Sequence, residues 1–390
     1  MNSLPTVSRR ARWAVPVGAV AVAAAVTAGS MISVAQASPE LPLRTPAQLL
    51  AAVAGRTAPP PALTGTVVET ASLGIPQLPG TSNMNSMMSL LSGSHTIKVW
   101  YASPTHLRLA VPVSLSETDL IRNGRQVWLW QSSSNSVTKM QLPAKAGQAA
   151  PATPVPTQLP LTPQQAASQA LAAVGPSTAV SVQRNVTVAG QAAYQLVLSP
   201  KAGNSLIGKV SIAIDAAKNV PLRVQVFARG ARSAAFQVGF TSISYVAPAA
   251  ANFSFSAPAG AKVKVVTPPS QPAGHPAKAK VSGQYQVIGK DWMSVAVLPA
   301  SALSGLTGAG NVAGAAGQAA QSAASGSGGS GENAAIMSAL LGSARSVHGA
   351  WGSGRLLHTS LLSVLITSTG HVLIGAVAPS VLYSAAAQVK

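Results

Sequence analysis

Apolar residues recur along most of this chain at every second position, in short runs cut by Gly, Asn, Ser and Pro. A period of two is that of a half-buried β-strand. The clearest run goes from Glu117 to Trp130. It predicts two strands joined by a two-residue type I′ turn at Asn123-Gly124, since Asn and Gly tolerate φ > 0 at both central positions. The second strand carries Val127, Trp128, Leu129 and Trp130 in succession. Such a strand is apolar on both faces, so it hides both or offers one to a ligand.

Around this hairpin, strands are predicted at 63–71, 95–102, 107–113 and 136–142, then at 179–188, 193–199, 208–215, 222–228 and 235–245. Short connections such as Ala189-Gly190 and Lys218-Asn219 favour antiparallel neighbours. Two segments break the period. Thr45-Pro46-Ala47-Gln48 and Thr162-Pro163-Gln164-Gln165 each place a capping Thr before Pro, with Gln completing a capping box, and so open helices. These are expected to reach Ala54 and Val174, with Gly55 and Gly175-Pro176 as stops. In the polar loop 73–94, Met84, Met87, Met88, Leu90 and Leu91 have helical spacing. Met adapts to irregular apolar ligands; the same side chains serve equally to cover the edge of a core. The pattern is that of an α+β chain: about ten strands in a meander with two or three helices. No β-α-β unit repeats, which argues against a doubly wound nucleotide-binding fold.

Composition divides the chain further. Residues 143–160 are a Pro/Ala linker and 267–280 a second linker, so 38–266 is expected as the main domain and 281–390 as a smaller α+β extension. Within the extension, 300–331 is Gly/Ala/Ser-rich and predicted to be disordered. One or two short strands are expected around Gly289-Lys290-Asp291, a hairpin around Thr369-Gly370, and a last helix from Pro379. The apolar run 356–377 is broken by His358, Ser360, Ser363 and that turn, so it predicts a buried hairpin and not a membrane span. At the other end, Arg9, Arg10 and Arg12 precede an apolar stretch at 14–34 and then Ala35-Gln36-Ala37. This is the pattern of a signal peptide at 1–37, either removed or kept as an N-terminal anchor, and it predicts export to the cell envelope.

There is no cysteine, so the core must hold without disulfides and no thiolate or lipobox chemistry exists. Lys and Arg number 26 against 7 Asp and Glu, a formal charge of +19, yet charged residues are only 8% of the chain. The excess points to an anionic membrane or wall surface as partner, or simply to a surface kept soluble by positive charge. No nucleic-acid motif is present, and nucleic acid is not expected as a partner. Glu117 and Asp119 fall on one strand face. Such a pair can do acid–base work, but the ordinary expectation is a solvated face partnered by Arg122 or Arg125. The six histidines show no H-x-x-x-H spacing, and neither G-x-S-x-G nor a phosphate-cradling G-x-x-x-x-G-K-S/T occurs. No metal or cofactor is expected, and the function to look for is binding, not catalysis.

Five stretches resemble one superfamily. Pro104-Thr105-His106-Leu107-Arg108 resembles its P-x-x-apolar-R strand start, and 123–130 its D-G-x-x-apolar-W-apolar-aromatic hairpin with Asn123 for Asp. Leu196 to Lys201 resembles L-x-L-x-P-K. Asp215 with Asn219-Val220-Pro221-Leu222-Arg223 resembles D-x-x-x-G-x-P-x-R, and Phe253-Ser254-Phe255 with Pro258 and Gly260 resembles F-x-F-x-x-P-x-G. Over about residues 45 to 265 the chain is similar to the LolA/LolB-like lipoprotein-carrier superfamily, which includes RseB-type regulators of envelope-stress anti-sigma factors. Residues 351–357 resemble an extension of some Gram-positive relatives. The resemblance implies an open, strongly curved antiparallel half-barrel, with helices capping a concave apolar face. It implies a non-catalytic carrier of a lipid or of the acyl chain of an acylated protein; the alternative is a regulator that binds an anti-sigma factor. The candidate wall is Leu107, Leu109, Val127, Trp128, Leu129 and Trp130, with Met87 and Met88 from the loop. Which of Val127/Leu129 and Trp128/Trp130 faces the cavity is left open by the sequence.

Overall fold

The computed structural model describes residues 38–54, 59–74, 92–113, 115–142, 160–172, 174–266, 286–299 and 342–389. The expected signal segment 1–37, nearly all of the 143–160 linker, the 267–280 linker, the 300–331 loop, and Met87 and Met88 lie outside the described residues. No helix among the described residues is long and apolar enough to cross a membrane.

The strands follow the alternation. They are β1 (Leu63–Ser72), β2 (Ser92–Ser103), β3 (His106–Val113), β4 (Ser116–Asn123), β5 (Gln126–Gln131), β6 (Ser136–Gln141), β7 (Thr178–Val188), β8 (Gln191–Pro200), β9 (Ile207–Asp215), β10 (Pro221–Ala228), β11 (Ala234–Ser244) and β12 (Lys262–Val266). All twelve form one sheet in the order β12-β6-β5-β4-β3-β2-β1-β11-β10-β9-β8-β7. Neighbours are antiparallel except β12, which runs parallel to β6 at the edge. β12 adds to the predicted set, although Lys262-Val263-Lys264-Val265 alternates plainly.

The sheet is open, with free edges at β12 and β7. It is also strongly curved. β7 touches β11 although three strands separate them in the order. In a flat sheet that separation would be roughly 19 Å at about 4.8 Å per strand, so the β7–β11 half must curl.

Two helices pack on one face, α1 (Pro46–Ala54) against β7, and α2 (Pro163–Ala172) against β10 and β11. Both capping boxes are present. Thr45 N donates to Gln48 Oε1 (2.9 Å) while Gln48 N donates to Thr45 Oγ1 (3.2 Å). Thr162 and Gln165 repeat the exchange at 2.9 and 3.3 Å.

The turns show where local chemistry prevails. At β7–β8, Ala189 and Gly190 both have φ > 0 (50° and 79°), as a type I′ turn requires. The β4–β5 hairpin corrects the expectation of a type I′ turn at Asn123-Gly124. Asn123 pairs with Gln126, so the loop is Gly124-Arg125, and only Gly124 has positive φ (60°). Positive φ at the first loop position alone is the type II′ pattern. Asn123 instead ends β4 as a paired strand residue. At β9–β10, Asp215 Oδ1 accepts from Ala217 N and Lys218 N (2.8 and 2.7 Å), its Oδ2 accepts from the Tyr245 hydroxyl (2.7 Å), and Asn219 takes φ 53°.

A second sheet contains β13 (Gln286–Ile288), β14 (Val295–Pro299), β15 (Arg345–Gly349), β16 (Gly352–His358), β17 (Ser363–Thr367) and β18 (His371–Gly375), ordered β13-β14-β18-β17-β16-β15. Helix α3 (Pro379–Ala386) covers it, burying Leu382 against Leu365 and Leu373. The apolar run 356–377 is thus three sheet strands. This sheet docks on the first by backbone bonds, Leu206 N to Ala376 O and Ala378 N to Asn204 O, both 2.9 Å. Trp292 Nε1 donates to Thr178 Oγ1 at 2.7 Å.

Candidate functional site

The register of the first sheet sorts the candidate residues by face. One cross-strand row is Val99, Leu109, Leu120, Leu129 and Thr138; the next is Tyr101, Leu107, Arg122, Val127 and Met140. Both rows lie on the face that carries the helices. Their apolar members join one core cluster with Val67, Ile97 and the helical residues Leu49, Ala166 and Ala167. Leu109 and Val127 are each 5% exposed. Leu107, Leu129, Tyr101 and Met140 are only partly buried, though packed against that cluster.

Trp128 and Trp130 point the other way. Their rows are Trp100, Arg108, Ile121, Trp128 and Lys139, and Lys98, Ala110, Asp119, Trp130 and Val137. Phe255 stacks obliquely on both, with centroids at 6.2 and 6.5 Å, and Phe253 meets His106 edge-on at 5.7 Å. The segment that resembles F-x-F-x-x-P-x-G therefore covers the outer face of β3–β5. The structure brings Leu107, Leu109, Val127 and Leu129 together and separates them from the two tryptophans. Met140 and Tyr101 belong to the same wall and were missed. Strand pairing would have found them, because each is the cross-strand neighbour of a residue already singled out.

The acidic pair also needs correction. Asp119 is not solvated: it is 1% exposed, and its partner is Arg108, whose Nη2 donates to Asp119 Oδ2, with Glu117 3.9 Å from the same nitrogen. Arg122 cannot reach the pair, since it lies buried on the helix-bearing face with Nε donating to Gly124 O (3.1 Å). Arg125 donates to Leu142 O at 2.9 Å. Burial, aided by the Glu117 carboxylate, pushes the Asp119 carboxyl up to about 6 against the pull of Arg108. The Arg108 guanidinium also lies over Trp100, 5.3 Å from its ring centroid. On the helix-bearing face Glu69, 2% exposed, accepts from Leu161 N (2.8 Å) just before α2; burial raises its pKa, opposed by that bond and by His95. These groups fasten strands and a helix entry. Among the described residues no group of three or more His, Asp or Glu could hold a metal ion.

No family model matches the chain, and no curated protein matches it. Among solved structures it is similar to the MucA/MucB complex of Pseudomonas aeruginosa, at 15% identity over 87% of this chain and 96% of that one, with a TM-score of 0.40. It is also similar to a conserved protein of Thermus thermophilus (12% identity, 56% of this chain, 98% of that one, TM-score 0.31). A third is a LolA superfamily protein of Nitrosomonas europaea (8% identity, 55% of this chain, 99% of that one, TM-score 0.23).

Proposed function

We propose that this chain is an exported, non-catalytic binding protein of the cell envelope that holds an acyl-chain ligand against the helix-bearing face of β2–β6. The observation that carries the reading is the wall of Tyr101, Leu107, Leu129 and Met140. It is contiguous with a fully buried core and yet only partly buried itself. A core that closed on itself would have buried these residues as it buries their row neighbours Leu109 and Val127. An acyl chain needs no polar anchor here: each methylene removed from water contributes about 0.8 kcal/mol. A chain of a dozen methylenes offsets the cost of association by burial alone. The charged group in the wall's own rows, Arg122, is committed to a strand end, its Nε donating to Gly124 O.

The test is mass spectrometry of solvent extracts from protein purified without detergent. The expected result is a lipid or acylated peptide in near-stoichiometric amount. Lipid-free protein that also takes up no fatty acid in vitro would refute the reading.

A further inference from the structure

The opposite face of the same sheet carries a groove of ≈ 310 Å³ where β2, β1 and β11 run side by side. Two register rows line it. Lys98, Thr66 and Ser242 are cross-strand partners in one, and Trp100, Thr64 and Ser244 in the next. Alternation therefore puts all six side chains on one face, away from the apolar wall. A β-bulge between Thr66 and Val67 marks this spot, and bulges bend and twist a strand locally.

The groove is chemically unlike the apolar wall. Its floor is four hydroxyls. Ser242 Oγ already accepts from Thr66 N (3.3 Å) and Ser244 Oγ from Val246 N (3.3 Å). A hydroxyl that accepts from backbone keeps its O–H to donate, so two donors and the exposed Lys98 ammonium converge on the same space. Trp100 forms a wall, held by the Arg108 guanidinium over its ring. Among the described residues no acidic side chain lines the groove; Glu117 and Asp119 face Arg108 beyond it. An apolar ligand gains little from such a surface. An anion that also carries hydroxyls finds a complement for both.

We infer that this groove binds a polyol phosphate, with the phosphate on Lys98 and the serine hydroxyls and the polyol hydroxyls on Thr64 and Thr66. The chemistry is shared by glycerol-phosphate polymers and by phosphatidylglycerol headgroups. Two arms separate these sources. One is titration calorimetry with soluble poly(glycerol phosphate). The other is co-sedimentation with vesicles of phosphatidylglycerol in phosphatidylcholine, with pure phosphatidylcholine as blank. Saturable binding in either arm is expected, weakened about ten-fold by Lys98→Gln, the scale of one charge-assisted hydrogen bond, and about five-fold by Thr66→Val, the scale of a neutral one. Thr66→Val is the decisive variant. It keeps the net charge, and both local bonds at Thr66 use its backbone and not its hydroxyl, so an unchanged melting temperature is expected with it. Absence of binding in both arms overturns the inference. So does binding that Thr66→Val leaves intact, since attraction to the bulk charge of +19 would then suffice.

Discussion

The helix-bearing face of the large sheet has two halves built by the same rule and finished differently. In β8–β10, Leu196, Leu198, Ile212, Ile214 and Leu222 are each 0% exposed, and α1 and α2 lie against β7, β10 and β11. In β2–β6 the same alternation continues, with Leu107, Leu129 and Met140 in equivalent rows, but these residues stay partly buried. Alternation decides which side chains face inward. It does not decide whether anything of the protein's own covers them. Among the described residues the two capped helices lie over the β7–β11 half, while in β2–β6 Leu109, Leu120 and Val127 are buried and Leu107, Leu129 and Met140 only partly so.

The comparison can be broken by truncating a residue in each half. Ile212→Ala, in the covered half, should cost about 3 kcal/mol of stability, the usual scale for a buried aliphatic residue with no room to relax. Leu129→Ala should cost roughly 1 kcal/mol or less, because its side chain is incompletely buried in the ligand-free protein. Urea unfolding of both variants reads this directly. Equal losses would mean that the two halves are one closed core.

The outer face sharpens the comparison through pH. The Asp119 carboxyl is raised by burial and by Glu117 from 3.8 to about 6. The folded protein therefore holds a proton that the unfolded chain releases. The linked stability is present below about pH 4 and is lost as pH rises toward 6, by no more than roughly 3 kcal/mol. In Asp119→Asn that slope should flatten across the same window. A wild-type stability profile that rises between pH 4 and 6 would show that Arg108 outweighs burial.

Much of this was legible in the residues. Two T-P-x-Q openings became helices with their capping bonds in place, and the alternating runs of the large sheet became strands within three residues of their expected ends. What the sequence lacked was pairing. The turn moved to Gly124-Arg125 because Asn123 keeps its ladder bonds to Gln126, and a single positive-φ residue then suffices. Sequence adjacency points to Arg122 or Arg125 as the partner of Asp119, three and six residues away on its own hairpin. The partner instead comes from the neighbouring strand, because Arg108 lies one strand over on the outer face while Arg122 alternates to the inner one. The two faces of β5 were separable only once Phe255, more than a hundred residues later, was seen to lie on the tryptophans. Local chemistry sets an element and its ends; cross-strand register, which depends on distant segments, sets which residues share a wall.

The most direct test compares the two faces of that one strand. Delipidated wild type, Leu129→Gln and Trp128→Gln are titrated with a fluorescent fatty acid, with uptake normalised to the folded fraction. Leu129→Gln should lower affinity at least several-fold while barely moving the melting temperature. Trp128→Gln should lower the melting temperature, through lost contact with Phe255, and leave uptake by the folded protein unchanged. The reverse pattern, uptake lost with Trp128 and kept without Leu129, would place the ligand on the outer face and contradict the account.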